Sequence, residues 1–216
     1  GYCELDMSSG RKRRFNTSIL VDASGRIIGK YRKIHLPGHS DHRRETPFQN
    51  LEKRYFEVGD LGFGAWQAWG GVAGMIICND RRWPESYRVL GLQGVDMIFC
   101  GYNTPVHHPA APDHDRLGQF HNELSMQSGA YQNSAWVIGI AKAGMEEGVD
   151  MIAGSCIITP TGEIAARCSS ADDEVIVSRC DLDLGRSYRD TTFNFARHRR
   201  PEHYRLIVER TGPTPP

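Results

Sequence analysis

Residues 71–85 read GVAGMIICNDRRWPE, and this stretch decides the fold class. The first eight residues are an apolar run without polar alternation, which marks a short buried strand. Asn79-Asp80-Arg81-Arg82-Trp83 then makes a polar turn. Pro84-Glu85 opens a helix, with proline where a first-turn N–H is not needed. That helix is expected to reach Gln93 and stop at Gly94. Residues 95–100 (VDMIFC) form the next buried strand. Strand, helix and strand in this order predict a layered α/β domain with a mixed sheet.

Outward from this unit, residues 1–34 read as meandering strands. Strands at 15–22 and 27–34 are separated by the turn Ala23-Ser24-Gly25-Arg26, and Ser8-Ser9-Gly10 makes an earlier turn. Residues 35–64 are irregular, with Pro37, Gly38, Pro47, Gly59, Gly62 and Gly64. Such a long loop in a compact domain usually serves function. Residues 101–115 form a second loop, rich in Pro, His and Asn. Residues 117–133 are expected to be helical, 134–141, 151–158 and 174–181 to be strands, and 184–188 a short helix. The strand at 174–181 is expected from its polar–apolar alternation. The elements interleave too closely for two domains, so residues 1–210 are read as one domain and 211–216 as a disordered tail.

The 216 residues are 39% apolar and 24% charged, with 26 Lys+Arg against 26 Asp+Glu. A zero balance argues against nucleic-acid binding and gives no attraction to an anionic membrane. No apolar stretch approaches the roughly 20 residues that span a bilayer, and no leader pattern opens the chain. The expected location is the cytoplasm. The six cysteines lack a CxxC pair and are expected as free thiols in a reducing compartment. The nine histidines show no HExxH or comparable spacing, so no metal is expected. Arg11-Lys12-Arg13-Arg14 reads as a solvated hairpin end.

Cys78 stands where the buried strand meets the polar turn, and sites gather at the carboxyl ends of strands in α/β sheets. Arg81, Arg82 and the start of the following helix favour a thiolate there. Two readings remain open on residues alone: a small buried hydrophobe or a nucleophile. Lys33, in Tyr31-Arg32-Lys33-Ile34-His35-Leu36, can be a solvated strand-end lysine or a group that holds an oxyanion. Arg81-Arg82 can clamp a carboxylate. Nothing local separates Glu52 from Glu45 or Glu57.

Taken together, YRKIHL at 31–36 and CNDRRWPE at 78–85 resemble the lysine and nucleophile motifs of the nitrilase (carbon–nitrogen hydrolase) superfamily. Within it, KYRKIHLPGH, LEKRYFEVGDLGF, CNDRRWPE, GYNTP and FNFARHRRPEHY resemble the N-carbamoyl-D-amino acid amidohydrolases, and the resemblance runs from Gly1 to about Glu209. It implies a nitrilase-like α-β-β-α sandwich, assembled as homodimers or homotetramers. It implies Cys78 as nucleophile, Lys33 as the lysine that stabilises the tetrahedral intermediate, and Glu52 as its helper. The backbone N–H of Asn79 is implied at the oxyanion, Arg81 and Arg82 at the substrate carboxylate, Asn103 and Thr104 in the pocket, and His35 and His121 close by. The implied substrate is an N-carbamoyl-D-amino acid, with a sister amidohydrolase (a β-ureidopropionase or aliphatic amidase) or a catalytically inactive homologue as the alternatives, and no cofactor is implied. Two departures stand out. Asn50 occupies a position where the subfamily carries a histidine. The family's general-base glutamate, in an early apolar-Pro-Glu segment, has no match, since Glu4 in Tyr2-Cys3-Glu4-Leu5 does not fit it. The expectation is therefore an N-terminal region missing from this chain, and a chain that by itself is inactive and poorly soluble.

Overall fold

The computed structural model describes residues 1–46, 49–108 and 111–215. Pro47 of the irregular stretch and Pro216 of the tail lie outside the described residues. Three strands open the chain: β1 (Tyr2–Asp6), β2 (Arg13–Val21) and β3 (Ile27–Arg32). They form an antiparallel three-stranded sheet in the order β1-β2-β3. After a long loop containing α1 (Glu52–Tyr55) come β4 (Ala65–Ala68) and β5 (Gly71–Ile77). A short 3-10 turn, Cys78–Arg82, leads into α2 (Pro84–Leu92), β6 (Met97–Tyr102), α3 (Gly118–Asn133) and β7 (Trp136–Ala141). The hairpin β8 (Met145–Glu146) and β9 (Val149–Asp150) follows, then β10 (Cys156–Ile158) and β11 (Ile164–Arg167). Three short helices end the chain: α4 (Arg186–Asp190), α5 (Phe195–His198) and α6 (Arg205–Glu209).

The second sheet has six strands in the order β11-β10-β7-β6-β5-β4. Strands β5, β6 and β7 run parallel, with Ala73 opposite Met97 and Met97 opposite Trp136, and β4, β10 and β11 pair antiparallel at the flanks. Parallel neighbours need crossovers, and α2 and α3 supply them. The apolar run of β5 follows from its place between two layers. Ala73, Met75 and Ile77 pack with Leu20 and Tyr31 of the three-stranded sheet. Ile76 points the other way, into a cluster with Tyr87 and Leu90 of α2 and Met126 and Ala130 of α3. Between them, Gly74 leaves room for Leu90, whose Cδ2 would stand 2.9 Å from an added Cβ. The result is helix, sheet and sheet in successive layers.

Two expectations of the sequence reading are corrected. Residues 174–181 form no strand. Val175 and Val177 are 88% and 85% exposed, so their alternation packs against nothing among the described residues. Of residues 151–158, only Cys156–Ile158 makes a strand, with Met151 in an isolated bridge to Pro105. Strands β4, β8, β9 and β11 were missed; none is longer than four residues. No helix among the described residues is long and apolar enough to cross a membrane.

Candidate active site

The carboxyl ends of β5 and β6 lie side by side and carry Cys78 and Asn103-Thr104. Cys78 leaves β5 in the left-handed region, with φ at 48°. That conformation is costly for a residue with a side chain and persists only where the surroundings enforce it. Asp80 does so. It has no exposed surface. Its Oδ2 accepts from the Ile77 amide (2.9 Å) and the Tyr31 hydroxyl (2.8 Å). Its Oδ1 accepts from the His35 amide (2.9 Å) and lies 2.8 Å from His35 Nδ1. One carboxylate thus ties the turn to β5 and to the loop after β3. Burial and the Asp80 charge push the Tyr31 phenol well above its ordinary range.

A cleft of about 890 Å³ opens over Cys78, lined also by Lys33, Glu52, Asn16, Asn50, His42, Asn103, Glu146 and Glu147. Lys33 follows β3, and its amide donates to the Asn16 carbonyl at 2.8 Å. Its side chain is almost fully buried, and its Nζ donates to Glu52 Oε2 at 2.5 Å. The other Glu52 oxygen accepts from Asn16 Nδ2 at 2.6 Å. Lys33, Glu52 and Cys78, 45 positions apart at most, therefore face one space. The Cys78 thiol lies 3.7 Å from the Asn103 carbonyl and 3.9 Å from Thr104 Oγ1. By contrast, burial pushes the Cys100 thiol up to about 12 and the Cys156 thiol up to about 11, holding both protonated. All six cysteines are unpaired.

Other expected site residues do not line this cleft. The arginine pair is split. Arg81 turns inward and is 1% exposed, with its guanidinium bonded to protein atoms. Arg82 turns outward and donates to Asn79 Oδ1 at 3.1 Å. Both line a separate cavity of about 390 Å³ between α2 and α3, and neither lines the Cys78 cleft. The two adjacent side chains leave the tight turn in different directions. His121 lines that second cavity too. His35 lies outside the cleft, bonded to Asp80 and stacked on Trp83 at 5.0 Å. The Asn79 side chain is occupied by the His35 carbonyl (3.1 Å) and Arg82. Glu4 is buried among Arg32, Lys30 and Thr17, and the Arg32 guanidinium above all holds its carboxyl down at about 2. Among the described residues, no three His, Cys, Asp or Glu side chains gather as a metal requires.

Sequence reasoning missed Asp80, Asn16 and the acidic pair Glu146-Glu147 in the β8–β9 hairpin. Asp80 lay within the quoted turn, and an acid between Asn79 and the arginines was the available signal.

A sequence profile for the family described as Carbon-nitrogen hydrolase matches residues 1–190. This chain belongs to the carbon–nitrogen hydrolase family. Among curated relatives of this carbon–nitrogen hydrolase chain is an N-carbamoylputrescine amidase of Solanum lycopersicum, 30% identical over 93% of the chain and 66% of the relative. A citrullinase of Francisella tularensis subsp. tularensis is 31% identical over 91% of the chain and 66% of the relative. The chain thus spans just under two thirds of the length of these relatives. The fold matches that of a carbon–nitrogen hydrolase from Helicobacter pylori G27, with a TM-score of 0.80 at 24% identity over 95% of this chain and 69% of that one.

Proposed function

We propose that the protein hydrolyses the C–N bond of an N-carbamoyl compound, with Cys78 as nucleophile. The observation that carries this reading is the shared cleft of Cys78 and the buried Lys33–Glu52 pair. The thiolate attacks the ureido carbonyl carbon and forms an S–C bond. Lys33, held by Glu52, donates to the oxygen as charge gathers there, and the Asn79 backbone N–H joins it; such preorganised donors are worth several kcal/mol. One nitrogen then leaves as a protonated amine, and water hydrolyses the resulting thiocarbamate on Cys78 to a carbamic acid, which loses carbon dioxide and releases the second nitrogen. The thiol proton goes to a glutamate other than Glu4 and Glu52, which are committed to Arg32 and Lys33.

On substrate detail, the sequence motifs support an N-carbamoyl-D-amino acid. A second reading is favoured by the cleft itself. Glu146 and Glu147 line it and neither arginine does, which suits a carbamoyl compound with a cationic end. The relatives named for N-carbamoylputrescine and citrulline are consistent with that choice. The test is ammonia release from N-carbamoyl-D- and L-amino acids, citrulline and N-carbamoylputrescine, in a protein of its relatives' full length, with Cys78→Ala alongside. Release that persists in Cys78→Ala refutes the nucleophile. D-selective release supports the first substrate, and preference for the amine the second.

A further inference from the structure

Arg81 is the largest fully buried side chain among the described residues, at 1% exposure. Its Nε donates to Asn122 Oδ1 (2.7 Å), its Nη1 to the Cys78 carbonyl (2.7 Å) and its Nη2 to Thr104 Oγ1 (3.0 Å). The guanidinium carbon lies 4.2 Å from the centre of the Tyr102 ring. Every one of these partners is neutral. Asp80, next in the chain, spends its oxygens on Tyr31, His35 and Ile77. A buried charge without a counter-charge is costly, and structures rarely retain one idly. One further contact exists: Nη1 lies 3.8 Å from Cys78 Sγ.

We infer that Arg81 is a catalytic residue in its own right, the resident counter-ion of the Cys78 thiolate. The neutral thiol leaves the guanidinium uncompensated, and loss of the thiol proton completes an ion pair that the fold has already assembled. Other groups around Cys78 are differently committed. Lys33 is paired with Glu52 across the cleft. Glu146 is bonded to Asn103 Nδ2 at 3.0 Å. Cys100 and Tyr102 on β6 are held neutral by burial. This role rests on Cys78 being the nucleophile, but neither readout below uses substrate, so a wrong substrate class leaves the test intact.

The first readout is the alkylation rate of Cys78 by iodoacetamide, followed by peptide mass spectrometry, with the exposed Cys3 as internal standard. Arg81→Gln keeps a donor but loses the charge, and is expected to slow Cys78 alkylation about tenfold or more at neutral pH. The deficit is expected to shrink in more alkaline medium, which supplies thiolate without the guanidinium. Arg81→Lys is expected to restore most of the rate. An unchanged rate in Arg81→Gln overturns the role. The second readout stands even if Arg81→Gln does not fold. Cys78→Asp and Cys78→Asn are nearly isosteric and both tolerate a positive φ. Asp, a fixed negative charge beside Arg81, is expected to melt several degrees above Asn; equal or lower melting overturns the role.

Discussion

Asp80 accepts three donors and faces His35 Nδ1, all within 2.9 Å, and has no access to water. Removing such an acceptor leaves the Tyr31 hydroxyl and the Ile77 and His35 amides buried without partners, which costs far more than the net value of the bonds. Asp80→Ala is therefore expected to lose about 3 kcal/mol or more in denaturant unfolding. Asp80→Asn, with one acceptor oxygen kept, is expected to lose less. Loss of only a few tenths would show that the turn is held by other contacts. Lys33 separates structure from chemistry differently. Lys33→Gln can still donate to Glu52, so the protein is expected to fold. In a turnover-competent chain its rate is expected to fall about 100- to 1,000-fold, the scale of one lost oxyanion donor. Cys78 alkylation in the same variant should change by only a few-fold. Equal losses in both assays would mean that Lys33 serves the thiolate and not the oxyanion.

The elements differ in how far their own residues fix them. In β5 the continuous apolar run matches a strand packed on both faces, with the three-stranded sheet on one side and α2 and α3 on the other. The crossover helices sit close to each other because Gly129 of α3 has no side chain; an added Cβ there would stand 2.5 Å from the Tyr87 ring of α2. Residues 174–181 show the opposite case. Their alternation imitates a strand, yet no ladder bond holds them. Their amides are expected to exchange with deuterium orders of magnitude faster than those of β5, β6 and β7, because exchange in a paired strand needs an opening event. Comparable protection in both would place residues 174–181 in a sheet in solution.

At the scale of the molecule, the three-stranded sheet is knitted by charge. Arg32 bonds Glu4, Asp6 and Asp60, Lys30 bonds Glu4, and Arg13 bonds Asp60 and Glu57. The Glu4 carboxyl sits at about 2 in the fold against an ordinary 4.5. A depressed carboxyl adds stability that is fully present above its ordinary value and disappears as pH falls through the folded value. Stability is therefore expected to decline from about pH 4.5 down to about pH 2, as followed by denaturant unfolding across that range. Glu4→Gln, which carries no charge to lose, is expected to flatten part of that decline. An unchanged slope would assign the acid sensitivity to other carboxylates.

The sequence by itself determined the local units: the opening hairpins, the strand–turn–helix–strand around Cys78, the long helix α3 and the family motifs. Each rests on periodicity, turn chemistry or a contiguous run, which neighbours along the chain specify. Only the tertiary structure decided what meets what. It brought Lys33 and Glu52 into the Cys78 cleft, made Asp80 the support of the turn, and sent Arg81 and Arg82 apart. It also left residues 174–181 unpaired, because alternation specifies only which side chains share a face. Whether a neighbouring strand lies in register to bond that face is decided by distant parts of the chain.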